Sequence, residues 1–260
     1  IGIGTSALAN NTTADNNTAI GLSALNSNTT GTNNTAVGKY AVKAVTTGER
    51  NTGVGVQALG NTGVAVTNNT AVGVNALYKT TGSSNTACGD AALYGNTSGT
   101  DNVAMGRNAM FEGTTGSENI AIGNYSLDAV NTGSYNTALG AYSMSANTSG
   151  GSNTALGRAT LFANINGGSN VAIGVEALSA NTSGQYNTAV GSKALDSNET
   201  VNNNSALGYK SLEANTTGTP NTAVGNEALK ANTTGIRNVA IGSEALKANT
   251  TSGQNTAIGT

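Results

Sequence analysis

The chain has no histidine, a single cysteine and little charge: 11 Lys and Arg stand against 13 Asp and Glu in 260 residues, a formal net charge of −2. Each shortage excludes something. Without histidine there is no thiolate–imidazole pair and none of the usual zinc ligand sets, and one cysteine cannot staple the chain to itself. Lys and Arg are scattered singly, so no basic stripe exists to displace counterions from nucleic acid or to hold an anionic bilayer. No run approaches the ~20 apolar residues of a membrane span, and no charged start followed by an apolar stretch marks a signal peptide. Membrane insertion of this segment is not expected, and an export signal would lie outside it. Large apolar residues are scarce too: 45 of the 260 are Leu, Ile, Val or Phe, a fraction that in an aperiodic chain indicates disorder.

What the chain has instead is a period. Glycine recurs at Gly4, Gly21, Gly38, Gly55, Gly73, Gly89, Gly106, Gly123, Gly140, Gly157, Gly174, Gly191, Gly208, Gly225, Gly242 and Gly259. Thirteen of these fifteen intervals are seventeen residues, and the remaining two, eighteen and then sixteen, adjoin and cancel. A short fixed period marks a solenoid, each repeat one coil stacked on the last, over a single array of residues 1–260. Both ends fall inside a repeat without a polar cap, so the array is expected to be a segment of a longer chain or of an end-to-end polymer.

One coil is read well from Asn221 to Arg237, and its seventeen positions are numbered here from that asparagine. Asparagine opens all fifteen coils whose first position is present, from Asn17 to Asn255. Positions 2 to 5, Thr222-Ala223-Val224-Gly225 in this coil, alternate β-branched residues with Ala and Gly, which predicts a short strand with one bulky and one small face. Position 9 is a second apolar column, mostly leucine, running from Leu8 and Leu25 to Leu229 and Leu246. The Ile/Val column at position 4 is expected to meet it inside the coil, with Cys88 in that column a buried apolar thiol. The smooth Ala/Gly face is then expected to lie outward, against a symmetry-related chain. Corners such as Asn232-Thr233-Thr234-Gly235 supply turn chemistry. The second arm, Ser243 to Ala248 for example, holds helix formers over six residues, too few for a free helix, so stacking must decide its conformation. Identical coils stack like residues about 4.8 Å apart, and the position-1 asparagines are expected to pass hydrogen bonds from coil to coil.

The units Asn-Thr-Ala-Val/Ile-Gly-x-x-Ala-Leu and Asn-Val-Ala-Ile-Gly, the latter at residues 170–174 and 238–242, resemble the head repeats of trimeric autotransporter adhesins. The longer seventeen-residue form is similar to repeats of bacterial surface and phage tail-fibre proteins. That resemblance covers the whole chain. It implies an all-β fold, a left-handed parallel β-roll, three chains about one axis, and an extracellular fibre on a cell surface or virion that serves attachment to a host-surface protein or carbohydrate.

Candidate sites are few. The acidic residues are dispersed, nothing singles out a pair of the kind that glycosidases set about 5–9.5 Å apart beside a cleft, and there is no Asp column of the kind that cages calcium. Neither catalysis nor a cofactor is expected. Tyr78, Tyr94 and Phe111 share one outward column in successive coils and predict an aromatic ladder, a candidate carbohydrate surface. Asn-x-Ser/Thr triplets at Asn11, Asn28, Asn96, Asn147, Asn181, Asn198, Asn215, Asn232 and Asn249 read as turn chemistry or, in an exported eukaryotic chain, as glycosylation acceptors on a filament scaffold. A file of threonines, Thr18, Thr35, Thr52, Thr70, Thr86, Thr137 and Thr154, adds an ice-binding solenoid as a further alternative.

Overall fold

The computed structural model describes residues 1–63, 65–129 and 131–260. They form an all-β parallel solenoid of seventeen-residue coils, and no described residue is helical. Two compact units divide the chain, Ile1–Thr132 and Gly133–Thr260. The first stacks β1 (Gly2–Ile3), β2 (Thr18–Ile20), β3 (Thr35–Val37), β4 (Thr52–Val54), β5 (Thr70–Val72), β6 (Thr86–Cys88), β7 (Val103–Met105) and β8 (Ile120–Ile122), each parallel to the next. The second stacks β9 (Thr137–Leu139), β10 (Thr154–Leu156), β11 (Val171–Ile173), β12 (Thr188–Val190), β13 (Ser205–Leu207), β14 (Thr222–Val224), β15 (Val239–Ile241) and β16 (Thr256–Ile258) in the same way. Val224 pairs with Ile241, as the period requires. Where the spacing changes, Thr52 still pairs with Thr70 and Thr70 with Thr86, so the extra and the missing residue are taken up outside the strands.

Which face of the strand turns inward is the reverse of the expectation. The position-3 alanines, Ala19, Ala36, Ala189 and Ala223 among them, are fully buried, whereas the position-4 column is largely exposed: Ile20 keeps 39% of its surface, Val72 40% and Leu207 49%. Cys88 is exposed with its column and is not a buried thiol. The reason is width. At position 3 of one coil stands Gly53, and a Cβ there would come within 2.6 Å of Val42 Cγ2, the position-9 side chain of the preceding coil. Opposite Val42 there is no room even for that methyl, and opposite the leucines the fully buried alanines fill the space, so a β-branched side chain does not fit. The core is therefore Leu at position 9 interlocked with Ala at position 3 and Ala, Ser or Thr at position 8, and the Ala/Gly face is interior.

Stacking also decides the second arm. Positions 7 and 9 lie in the left-handed region in coil after coil, as in Lys193 (φ 59°) and Leu195 (φ 52°), or Glu244 (φ 60°) and Leu246 (φ 51°). That conformation costs an L-residue roughly 1–2 kcal/mol, and helix propensity runs against it. Its return is two-sided hydrogen bonding: the Lys193 N–H donates to Val175 O in the coil before (3.0 Å), the Leu195 N–H to Ser211 O in the coil after (3.0 Å). A short helix would have kept its bonds local and left neighbouring coils unjoined. Glycine at position 5 is required twice over. Gly157 has φ +138°, and a Cβ on it would stand 2.8 Å from the carbonyl of Gly174 in the next coil.

Two asparagine ladders close the coil, and both face inward. Within each unit the side-chain oxygen of a position-1 asparagine accepts the backbone N–H of the next coil's asparagine, as in Asn187→Asn170 Oδ1 (2.9 Å), Asn204→Asn187 Oδ1 (3.0 Å) and Asn221→Asn204 Oδ1 (2.8 Å). The Nδ2 group reaches across its own coil to the position-15 carbonyl, for example Asn204 to Gly218 O (3.0 Å). The expected coil-to-coil bonding is thus present, with the backbone as one partner. The second ladder runs through the corner asparagines at position 12. In the second unit it is unbroken, each Nδ2 donating to the Oδ1 one coil back from Asn164→Asn147 (2.8 Å) to Asn249→Asn232 (2.8 Å). In the first unit the column reads Asn11, Asn28, Val45, Thr62, Thr80, Asn96 and Gly113. The buried side-chain oxygens of Asn28 and Asn96, each facing a coil with no asparagine at that place, have no hydrogen-bond partner.

Candidate interaction surfaces

Because the interior takes up Ala, Leu and Asn, everything chemically varied is displayed on the outside, on two faces. The strand face carries position 2, mostly Thr, and position 4, mostly aliphatic. In the first unit it presents Ile20, Val37, Val54, Val72, Cys88, Met105 and Ile122 in one file. Leu22, Val56 and Val74 at position 6 are exposed close by. A continuous exposed aliphatic file is uncommon on a soluble monomer and marks a surface that meets something. The threonine file Thr18, Thr35, Thr52, Thr70 and Thr86 runs beside it on the same face.

The second-arm face carries positions 7 and 10, which lie three residues apart and side by side. Tyr78, Tyr94 and Phe111 stack there as the sequence suggests, with ring centroids 5.3 Å apart and interplanar angles of 19° and 21°. All three are half-buried. Stacking this close uses the ring faces on one another and leaves mainly edges to solvent, while Lys79 Nζ lies 5.5 Å over the Tyr94 ring. A sugar ring needs an aromatic face, so this ladder is a poor platform for one.

In the second unit the same two columns, joined by Arg158 from position 6, hold a charge ladder. Glu176 sits 3.6 Å from Arg158 and 3.4 Å from Lys193; Glu213 pairs with Lys210 (3.1 Å) and Lys230 (4.0 Å); Glu227 pairs with Lys230 (2.8 Å) and Lys247 (2.6 Å); Lys247 also meets Glu244 (3.0 Å). Hydrogen bonds from Lys230 and Lys247 hold the Glu227 carboxyl well below the usual range, at about 2. Lys247 is raised by its bonds to Glu227 and Glu244, and Lys210 by its bond to Glu213. These exposed pairs join coils to one another along the arm, each with a small effect.

The nine Asn-x-Ser/Thr asparagines named at the corner all lie in the position-12 column. Seven of them, Asn28, Asn96, Asn147, Asn181, Asn198, Asn215 and Asn232, are fully buried. Their amide nitrogens are engaged, each donating to the corner carbonyl of its own coil, as in Asn181 to Gly184 O (3.2 Å) and Asn215 to Gly218 O (2.9 Å). A glycan on such a nitrogen would have to displace the corner. Asn11 is exposed and Asn249 half-buried. Among the described residues no three His, Cys, Asp or Glu gather as a metal site, and no helix is long and apolar enough to cross a membrane. Comparison with known proteins gives no family-model match and no curated relative, so the likeness to adhesin heads rests on the quoted repeat units alone.

Proposed function

We propose that this chain is a structural and adhesive segment of an extracellular fibre, on a cell surface or a virion. In this reading, left-handed coils associate as a homotrimer through the strand face, and the second-arm face is displayed for attachment. The observation that carries it is the exposed aliphatic file at position 4. A narrow coil of Ala, Leu and Asn leaves its largest β-branched residues outside, and a second and third copy would cover them. The interface is thus the Ile/Val face, not the Ala/Gly face.

Sedimentation velocity tests the assembly. The wild-type chain is expected to sediment as a trimer and the Val54→Lys, Val72→Lys double variant as a folded monomer, since a lysine at these outward positions reaches solvent when no partner is present. A wild-type chain that sediments as a stably folded monomer would overturn the reading. Ice binding is the second reading, favoured by the threonine and aliphatic files lying side by side on a regular strand face. Thermal hysteresis in the wild type that disappears in the same double variant would select it.

A further inference from the structure

On the second-arm face of the second unit the columns leave a notch of about 530 Å³, lined by Tyr142, Arg158, Ala159, Phe162, Glu176 and Ser179. It arises from one small residue. Ala159 occupies position 7 between Tyr142 one coil before and Glu176 one coil after, so a long side chain is missing from a column that from Tyr125 to Glu244 otherwise holds only Tyr, Glu and Lys. Two strand spacings, about 10 Å, separate the flanking residues. Phe162 forms the side wall at position 10, where its column neighbours are Ser145 and Ser179. Unlike Tyr94 it therefore has no ring stacked upon it from that column, and it keeps 44% of its surface exposed; Tyr142 keeps 42%.

We propose that this notch binds a neutral pyranose ring of a saccharide. Such a ring presents an apolar C–H face and a rim of hydroxyls, and the lining supplies both counterparts: aromatic surface from Phe162 and Tyr142, and a polar rim from Glu176 and Arg158. The Glu176 carboxylate is held by Arg158 and Lys193 at 3.6 and 3.4 Å. Both separations are longer than a hydrogen bond, so its oxygens keep lone pairs for two hydroxyls. The Arg158 guanidinium, 64% exposed, adds donors beside that carboxylate. Ser179 donates to Asp196 and serves as a positioned edge. A carboxylate among the lining groups disfavours an acidic sugar. Smallness at position 7 is not sufficient by itself: Ala91 is as small, but its neighbours Asn75 and Asn108 offer no ring, and Tyr94 beside it is already stacked.

Saturation-transfer NMR on the full chain tests this with methyl β-glucoside, methyl β-galactoside, N-acetylglucosamine and N-acetylneuraminic acid as probes. Transfer to ring protons of at least one neutral sugar is expected. Ala159→Tyr, which fills the notch with a residue its column accepts at Tyr142, should weaken that binding at least about tenfold. Phe162→Ser, matching Ser145 and Ser179, should do the same, while Tyr94→Ser leaves it unchanged. Circular dichroism confirms that each variant is folded. No transfer to any neutral probe, transfer to N-acetylneuraminic acid alone, or binding that survives Ala159→Tyr and Phe162→Ser in folded protein would overturn the proposal. Sedimentation of the strand-face variant reads a different face, so failure here and failure of the trimer are told apart.

Discussion

Replacing Asn187 with alanine tests the inward asparagine file at one rung. Asn187 is fully buried. Its Oδ1 accepts the Asn204 backbone N–H (3.0 Å) and its Nδ2 donates to Val201 O (2.8 Å). Val201 O still receives Asn198 Nδ2 (3.1 Å) in the variant, so that acceptor stays satisfied. The Asn204 N–H does not: it belongs to a fully buried residue and is left without a partner. Two bonds lost at about 1 kcal/mol each, with about 1–3 kcal/mol for a buried orphan donor, give a loss of about 3–5 kcal/mol. Asn187→Asp separates the two roles. One carboxylate oxygen keeps the Asn204 bond, but the other replaces a donor and faces the Val201 carbonyl. Burial and that contact raise the folded carboxyl above its unfolded value, so the folded state binds the proton more tightly and stability rises as pH falls through that raised value. Urea unfolding of the second unit reads both variants, and hydrogen exchange at the Asn204 amide localises the effect, since a repeat array need not unfold as one unit. A loss for Asn187→Ala under about 0.5 kcal/mol with Asn204 still protected would refute the ladder as a source of stability.

Two further outcomes follow from the same geometry. Leu195→Ala should cost about 2–5 kcal/mol in urea unfolding, because Leu195 is fully buried in the narrow interior, whereas Lys193→Ala two residues away should stay within about 0.5 kcal/mol; equal tolerance would mean that position 9 does not face the core. Glu227, depressed from 4.5 to about 2 in the fold, contributes stability that is present above its unfolded value and lost as pH falls from about 4.5 to about 2. The gap between wild type and Glu227→Gln should close over that window and shrink with added salt, and a pH-independent gap would mean the carboxylate is not held by Lys230 and Lys247.

The period made the stacking, the strand register, the buried leucine file and the inward position-1 asparagines legible, because each follows from like residues superposing at strand spacing. It did not make the sign of the strand legible. Alternation divides Thr222-Ala223-Val224-Gly225 into two faces without saying which is inside, and the usual preference for burying Ile and Val pointed the wrong way. A usable signal lay in the tolerance of each column. Position 4 accepts Ile, Val, Leu, Met and Cys, a spread of sizes that a close-packed interior would not accommodate, whereas position 3 admits only Ala and Gly along the entire chain. The corner asparagines were ambiguous for another reason: Asn-x-Thr is at once a glycosylation triplet and the residue pair this corner needs, and their burial favours the turn role. The notch at Ala159 was illegible because it needs Phe162 and Glu176 brought beside it from other columns and coils.

The left-handed backbone at positions 7 and 9 explains how such a lean interior can hold a fold. Leucine has no preference for φ near +50°, yet Leu25, Leu77, Leu161, Leu195 and Leu229 all adopt it, because it alone aims their N–H groups along the stacking direction while their side chains point inward. The cost falls on every coil alike and is offset by bonds that exist only if the neighbouring coils are present, so stability accrues through contacts between coils rather than within them. Such a scheme leaves positions 6, 7 and 10 unconstrained except by solvent. The same backbone accordingly carries a stacked aromatic ladder in the first unit and an ion-pair ladder with a ring-sized notch in the second, so differences in recognition along the chain follow from outward side chains alone.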